Sequence, residues 1–323
     1  MDPIKYAEKL RPRMINLPEK KVLLARFTDP TSQMKWDTKK ISFDFFRRKT
    51  YVQPDEWDRN PLPYDGKPAS IAAQKLNLNI RDCTHVLLFQ VNGCNLSCWF
   101  CYVNDEINRA IPGSGRFFTA QEILLHYLAA TRKAQFTPDK LNILRISGGE
   151  PMLVPEIIVW LIEEVKNLDL QNSIYLWADT NLTPDFYFTK LNDEQRKLIK
   201  EFPNIGFMGC YKGIDEFEFW KNTKADPKFL SRQFKMHRHY VDEGLDFYTY
   251  LVPLFFNHKN LEERIKRFIK IFCQEVGEKE LKNLWILEMH DYYTSTKERL
   301  TPEGKQAIED QEKVKEVWQR LVG

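Results

Sequence analysis

Three cysteines, Cys94, Cys98 and Cys101, stand within eight consecutive residues of the chain. Thiolates are soft metal ligands, so a loop that carries three of them can surround one metal centre. Short and unequal gaps suit an iron–sulfur cube, in which each cysteine binds a different iron. Three protein ligands leave the fourth iron open to a small molecule that can bind there and be reduced. The spacing therefore indicates a reactive cluster rather than one that only carries electrons.

Other uses of these cysteines stay open at this point. A structural zinc site usually has two separate pairs of ligands, and Cys83 or His126 could complete such a site only singly. A disulfide framework is disfavoured, because a chain of this size without a secretory signal is expected to be cytoplasmic and reduced. An iron–sulfur cluster is the favoured interpretation, followed by zinc and then by plain core thiols.

A second motif, Gly148-Gly149-Glu150, follows an apolar run at residues 141–144 and so lies at the end of a predicted buried strand. Paired glycines there let a ligand approach the backbone closely and expose amide N–H groups. Glu150 adds a fixed acceptor. An amino acid, which carries both an ammonium and a carboxylate, could be held by that combination.

With both motifs in this order, the chain resembles the radical S-adenosylmethionine (radical SAM) superfamily, whose signature is CxxxCxxC after the first barrel strand and a GGE-type motif after the second. The resemblance implies one [4Fe–4S] cluster on Cys94, Cys98 and Cys101. It also implies that the amine and carboxylate of SAM chelate the open iron, while the Gly148–Glu150 segment contacts the amine. Reductive cleavage of SAM to methionine and a 5′-deoxyadenosyl radical, which abstracts hydrogen from a substrate, would follow. A low-potential electron donor, flavodoxin- or ferredoxin-like, is then required.

Two further positions resemble the branch of the pyruvate formate-lyase-activating enzyme. Asp179 and Asn181 lie at the end of the third predicted strand, in a segment similar to the (D/E)TNG motif of the activases. Leu182 stands where that motif has glycine, so the turn after Asn181 is expected to differ. The resemblance implies that these side chains contact SAM, and an ordinary turn cap is the alternative for Asp179.

Phe100 and Lys212 complete the set of SAM-binding residues that the resemblance implies. Phe100 matches an aromatic position near the adenine, and a core aromatic is its alternative. Lys212 matches the lysine of an Asp-x-Lys segment that contacts the SAM carboxylate, although Cys210 replaces the aspartate. A solvated surface lysine is the alternative for Lys212. For Cys210 packing is favoured over a radical-relay thiol, and the other scattered cysteines indicate no auxiliary cluster.

These loops need a scaffold, and from about residue 84 apolar strands alternate with helices. Such βα units with right-handed crossovers predict an α/β fold, a partial (β/α)6 TIM-like radical SAM barrel. The motif loops follow strands, at the rim where such barrels keep their chemistry. The predicted strands are residues 84–91, 141–147, 173–178, 204–210, 246–254 and 283–288, and the predicted helices are residues 119–133, 155–167, 193–202, 227–243 and 261–276.

The chain is expected to have three parts. Residues 1–80 are rich in aromatic and charged side chains without a clear period, and they predict an extension packed on the barrel rather than a separate partner-binding module. Residues 81–290 form the barrel. Residues 291–323 form a C-terminal helical extension, with Thr301 as N-cap and Pro302 at the first helical position. His237 and His239 are expected on a solvated helix face.

Composition sets wider bounds. A chain of 323 residues with 43% hydrophobic content can bury one large core, and its net charge of +3 gives little support for nucleic-acid binding. No apolar run is long enough to span a membrane, so a cytoplasmic protein is expected.

The substrate stays open among three hypotheses. Resemblance to the activases favours an enzyme that acts on a protein residue. The alternatives are a radical SAM enzyme that modifies RNA or a nucleotide, with phosphate contacts from basic side chains, and a non-catalytic metal-binding protein. The basic side chains in question are Arg47, Arg48, Lys49, Arg232, Lys235 and Arg238.

Overall fold

A sheet of parallel strands covered by helices dominates the computed structural model, which describes residues 1–26, 42–43, 45–50, 66–134, 141–291 and 294–322. The strands are β1 (Ile15–Asn16), β2 (Lys21–Ala25), β3 (Ser42–Phe43), β4 (Phe46–Thr50), β5 (His85–Val91), β6 (Gly115–Thr119), β7 (Leu141–Gly148), β8 (Tyr175–Thr180), β9 (Ile205–Tyr211), β10 (Phe247–Leu251) and β11 (Leu284–Ile286). The helices are α1 (Pro3–Met14), α2 (Gly66–Lys75), α3 (Asp105–Asn108), α4 (Ala120–Ala134), α5 (Glu156–Asn167), α6 (Phe186–Lys190), α7 (Asp193–Glu201), α8 (Glu216–Thr223), α9 (Phe229–Glu243), α10 (Leu261–Glu275), α11 (Thr294–Arg299), α12 (Pro302–Glu309) and α13 (Gln311–Val322).

Six strands pair in parallel, in the order β5-β7-β8-β9-β10-β11. Helices separate successive strands of this set and cover one face of the sheet, as parallel pairing requires. The predicted α/β class with six βα units is confirmed. Within the described residues, no strand pairs with the outer edge of β11, and the sheet is not closed.

On the opposite, inner face of the sheet, α2 packs near the amino ends of the strands. Alternate residues of β7 and β8, such as Ile143, Tyr175 and Trp177, pack with alanines of α2 in a second apolar cluster. Because side chains alternate along a strand, the next inward residues toward the carboxyl end are Arg145 and Asp179. The inner face is therefore apolar near the amino ends of the strands and polar near their carboxyl ends, where the motif loops begin.

The N-terminal residues join the same sheet. Strand β2 pairs antiparallel with β6 and meets β5 at one position, and β4 pairs antiparallel with β5. Helix α1 is joined to α5 by Arg11, which donates to both carboxylate oxygens of Glu156. The predicted segment boundaries at residues 80 and 290 stay a prediction. The charged segment at residues 55–61 lies outside the described residues.

Local capping signals are confirmed. The Thr119-x-x-Glu122 spacing predicts a capping box at the start of α4. Thr119 and Glu122 form that reciprocal cap, with Glu122 N–H donating to Thr119 Oγ1 at 3.1 Å. Thr301 accepts from the N–H of Gly304 at 3.1 Å, as predicted for the C-terminal helix. That helix is nevertheless two helices, α12 and α13, which are separated at Asp310.

The expectation for His237 is wrong. Its side chain is buried, 1% exposed, and its Nδ1 lies 3.0 Å from the hydroxyl of Tyr211. Burial lowers the pKa of His237 to about 3, so the imidazole is neutral. Basic neighbours along the sequence suggested solvent, but position 237 falls on the apolar face of α9, against β9. His239 is exposed.

Among the described residues, no helix combines the length and the apolar character needed to cross a membrane.

Candidate active site

The cysteine loop begins directly after β5 and is held by its own backbone. The N–H groups of Gly93 and Cys94 donate to the carbonyls of Ile107 and Asn108, both at 2.8 Å, and the N–H of Cys101 donates to the carbonyl of Cys98 at 3.1 Å. These bonds fold the three cysteines back toward the end of the strand. These backbone hydrogen bonds therefore fix the shape of the loop.

The three thiols lie close to one another, with Cys98 buried and Cys94 and Cys101 half-buried. Burial is the main cause that raises the pKa of Cys94, with Glu150 and the other two sulfurs adding to it, and burial raises the pKa of Cys98 to about 12. Amide groups of Asn181 and Asn108 donate to Cys94 Sγ at 3.8 Å and to Cys101 Sγ at 3.7 Å. Buried thiols with amide donors fit a cluster, because iron offsets the cost of a buried thiolate.

No three side chains of His, Cys, Asp or Glu in the described residues converge as ligands of a single metal ion. A cube does not need such convergence, because each cysteine binds a different iron.

Gly148 and Gly149 bring the second motif against the cysteine loop. Gly148 has φ +79°, and a Cβ there would overlap the side chain of Gln90 on β5. A Cβ on Gly149 would overlap the carbonyl oxygen of Gly93. The N–H of Glu150 then donates to that same carbonyl at 2.7 Å. The two motifs are in direct contact because these two positions have no side chain.

Glu150 is buried, 1% exposed, and its carboxylate is already partnered. Its oxygens accept from the N–H of Met152 at 3.1 Å and from the N–H of Asn181 at 2.6 Å. Burial raises the pKa of Glu150 to about 7, against the opposing effect of these hydrogen bonds. A carboxylate has about four lone-pair positions, so Glu150 can still accept from an ammonium.

The segment after β8 connects the two motifs. Besides contacting Glu150 and Cys94, Asn181 donates to Asn95 Oδ1 at 2.8 Å and accepts from the N–H of Thr183 at 3.0 Å. Leu182 has φ +63°, the left-handed conformation that glycine adopts most easily. Leu182 therefore adopts a conformation that a glycine at this position could also take.

Asp179 forms an ion pair that sequence reasoning missed. Arg145, on the neighbouring strand β7, donates to Asp179 through Nε and Nη2 at 2.8–3.1 Å. Both side chains are partly buried, 15% exposed for Arg145 and 21% for Asp179. The pair lies on the inner face, one position above Trp177. The alternation of side chains along each strand predicts that both lie on that face, but it does not predict that they are in contact.

Lys212 projects from the end of β9 toward the cysteine loop. Its Nζ lies 5.7 Å from the centre of the Phe100 ring, and Phe100 is 5% exposed. Burial by itself would lower the pKa of Lys212, but the sulfurs of Cys210 and Cys98 outweigh it and raise the pKa. The alternative of a solvated surface lysine is therefore wrong, because the side chain points into the site.

Helix α11 supplies a second group of residues that the sequence did not indicate. Arg299 donates to the carbonyls of Cys101 at 3.0 Å and Val103 at 2.6 Å. Thr296 Oγ1 donates to the carbonyl of Phe100 at 3.2 Å, and Ser295 Oγ donates to that of Tyr102 at 2.7 Å. No local motif could have revealed them, because the two segments are separated by about 200 residues.

Comparison with known proteins supports the cluster. Residues 82–213 match the family described as 4Fe-4S single cluster domain. The 7-carboxy-7-deazaguanine synthase of Methanothermobacter thermautotrophicus is 40% identical over 72 residues, which are 22% of this chain and 26% of that protein.

Solved structures that match this chain include SuiB of Streptococcus suis bound to the precursor peptide SuiA, with 16% identity and a TM-score of 0.45 over 74% of this chain and 46% of SuiB. Another is a radical SAM methyltransferase of Sphaerobacter thermophilus, with 16% identity and a TM-score of 0.39 over 59% of this chain and 64% of that one. SuiB has also been solved bound to S-adenosylmethionine.

The chain thus spans about a quarter of the curated relative and less than half of SuiB. The predicted [4Fe–4S] cluster agrees with the family that residues 82–213 match.

Proposed function

We propose, on the premise that residues 82–213 form the 4Fe-4S single cluster domain whose family they match, that this chain is a radical SAM enzyme. It would cleave SAM reductively and abstract a hydrogen atom from a residue of a protein substrate. The observation that carries the cleavage step is the contact between the two motifs. Glu150 N–H donates to the Gly93 carbonyl, one residue before Cys94. A ligand of the open iron would therefore lie beside the amides and the carboxylate of the Gly-Gly-Glu segment.

When bound, the cluster would supply the electron that breaks the bond between sulfur and C5′ of SAM. We infer that Cys94, Cys98 and Cys101 hold it, and that Asn108 and Asn181 orient two of the sulfurs. Buried donors to cluster sulfurs stabilise the more negative state and so favour reduction.

The remaining side chains would bind SAM. Gly148, Gly149 and Glu150 hold the methionine amine, and Lys212 offers a half-buried cation to the carboxylate. Phe100 packs beside the adenine and helps to exclude water. Asp179 accepts from a ribose hydroxyl with the lone pairs that Arg145 leaves free.

A protein substrate is supported by the resemblance of the Asp179–Asn181 and Lys212 segments to the activases. Two of the basic residues considered for RNA binding are otherwise engaged. Arg232 binds Asp185 at 2.9 Å, and Arg238 binds Asp242 at 2.8 Å. The structure does not describe the side chains of Arg47, Arg48 and Lys49. Lys235 is exposed. A cytoplasmic location, where thiols stay reduced, is part of this proposal.

A planar heterocycle is the second candidate substrate. Trp177, Tyr248 and Trp285 stack on the inner face, with ring centres 5.5–5.7 Å apart and planes 20–23° apart. Trp177 is fully buried against α2, so only the half-buried Tyr248 and Trp285 can offer a ring face to a nucleobase-like ring. The name of the matched synthase indicates a compound of that kind for that protein.

The test is release of 5′-deoxyadenosine. Protein reconstituted anaerobically with iron and sulfide, then given SAM and dithionite, should release 5′-deoxyadenosine and methionine in equal amounts. Addition of the true substrate class, a partner protein or a nucleobase, should stimulate release above the basal rate. A protein with a proper cluster spectrum and no release would overturn the proposal.

Cys98→Ala is expected to lose the cluster absorbance and at least about 100-fold of the release rate, because a positioned ligand of the cluster is removed. Cys273→Ala is the matched control. It lies on α10, outside the cysteine loop, and should keep both the spectrum and the activity.

A further inference from the structure

A pocket of about 640 Å³ adjoins Cys94. The segments proposed to bind SAM, at residues 148–150, 179–181 and 212, are not among the described residues that line it. It is therefore a second approach to the cluster, distinct from the one proposed for SAM. The residues that line it include Ser97, Trp99, Arg109, Lys221, Lys224 and Phe256.

The pocket is basic. Four basic residues and two acidic ones line it, which gives a formal excess of two positive charges. The acidic residues are already paired, Asp105 with Arg299 at 3.1 Å and Glu303 with Lys221 at 2.9 Å. Arg109 and Lys224 are exposed and form no ion pair within the part of the chain that the structure describes. Their charges are free to attract an acidic surface.

Exposed aromatic rings extend the pocket along α8. Phe217 is 42% exposed and Trp220 is 41% exposed. Lys221 Nζ lies 5.9 Å from each ring centre, and Lys224 Nζ lies 5.4 Å from that of Trp220. Large aromatic side chains left in water beside cations are typical of a docking surface, where they bury their area against a partner.

We propose that this surface docks a small acidic flavoprotein that reduces the cluster. The proposal rests on the proposed function, which needs an electron from outside the chain. A flavin held at the end of an α/β sheet can present the edge of a planar ring, and a concave pocket lined by aromatic and basic side chains fits both that ring and an acidic rim. In the transfer, the reduced flavin loses one electron and the oxidised cluster gains it. No bond between heavy atoms forms or breaks.

The experiment measures electron transfer rather than SAM cleavage. A flavodoxin reduced to its hydroquinone is mixed anaerobically with the reconstituted protein, and loss of the cluster absorbance gives a second-order rate constant. The double variant Arg109→Glu with Lys224→Glu should lower this constant at least about tenfold at low ionic strength. The wild-type constant should also fall as salt is added.

Two controls separate docking from damage. Lys166→Glu with Lys270→Glu makes the same change of charge on α5 and α10, and should leave the rate constant within about twofold of wild type. Photoreduced deazaflavin, a small neutral reductant, should reduce the cluster of every variant equally, which shows that the cluster is intact.

Unchanged reduction of the pocket variant by flavodoxin, or equal slowing of the control variant, would overturn the docking proposal. Its failure is distinguishable from that of the proposed function, because SAM is absent from this experiment. A protein that flavodoxin reduces but that never releases 5′-deoxyadenosine would contradict only the proposed function.

Discussion

At the scale of single residues, the site depends on two glycines that have no side chain. Gly148 and Gly149 lack the Cβ atoms that would separate β7 from Gln90 and from the carbonyl of Gly93. That closeness lets the Glu150 N–H reach the cysteine loop. The two motifs therefore act as one unit.

Gly148→Ala should destabilise the protein more than an ordinary glycine substitution. The left-handed backbone by itself costs a side chain about 1–2 kcal/mol. Overlap with Gln90 adds about 1–3 kcal/mol of overpacking. Urea unfolding of the two proteins gives the difference in free energy of unfolding.

Gly113→Ala is the matched control, because Gly113 has φ +88° and open space where the new Cβ would lie. It should show the backbone cost alone. Equal losses for the two variants would mean that contact with Gln90 is unimportant.

At the scale of elements, the described helix α11 has a role that its length of six residues does not suggest. Its side chains satisfy the carbonyls of Phe100, Cys101, Tyr102 and Val103. A loop that wraps a cluster leaves many carbonyls pointing outward, and buried carbonyls without a donor are costly. Helix α11 covers that outer layer of the cysteine loop.

Arg299→Ala should loosen the loop, because hydrogen bonds from a charged group contribute about 1.5–3 kcal/mol. The reconstituted variant is expected to lose its cluster to an iron chelator several times faster than wild type. Loss of a nearby positive charge should also make the reduction potential of the cluster more negative. Chelation kinetics and a redox titration followed by absorbance measure the two effects.

Lys297→Ala changes an exposed residue of the same helix and should leave both quantities unchanged. Equal chelation rates for Arg299→Ala and Lys297→Ala would rule out the covering role of Arg299.

At the scale of the whole molecule, helix α1 is joined to the helical layer of the barrel by one buried ion pair. Arg11 and Glu156 have side chains only 10% and 6% exposed, and Arg11 Nη1 also donates to the carbonyl of Leu153 at 2.6 Å. Leu153 is the second residue after the Gly-Gly-Glu-Pro segment. The N-terminal helix thereby supports the loop proposed to bind SAM.

Glu156→Ala should cost about 3–5 kcal/mol of unfolding free energy, because it leaves the Arg11 guanidinium buried without its partner. The double variant Arg11→Met with Glu156→Leu should recover most of that loss, since no charge is left unpaired. Denaturant unfolding at one pH measures both.

Glu163 lies on the same helix α5 as Glu156 and forms an exposed ion pair with Lys20. The side chain of Glu163 is 42% exposed and that of Lys20 is 62% exposed, and Glu163→Ala breaks this pair. It should cost less than about 1 kcal/mol. A loss for Glu156→Ala no larger than this would show that the buried pair is not needed.

Short-range patterns in the sequence correctly predicted much of the fold. The six βα units, the cap of α4 by Thr119 and the cap of α12 by Thr301 all follow from residues within a few positions of one another. The third predicted strand is shifted by two residues, since β8 extends to Thr180. Strands β2 and β4 were missed, and the strands that join them to the main sheet, β6 and β5, lie far away in the sequence.

The sequence by itself determined the chemistry of this protein, because a cluster loop and a Gly-Gly-Glu strand end are each encoded in a few adjacent residues, where spacing limits the geometry. Only the tertiary structure decided what surrounds them: Arg145 on Asp179, Asn181 between Cys94 and Glu150, Arg299 over the loop carbonyls, and a basic aromatic pocket beside Cys94. Each joins segments distant in the chain, and such contacts depend on how the strands pack, which no local pattern of residue types specifies.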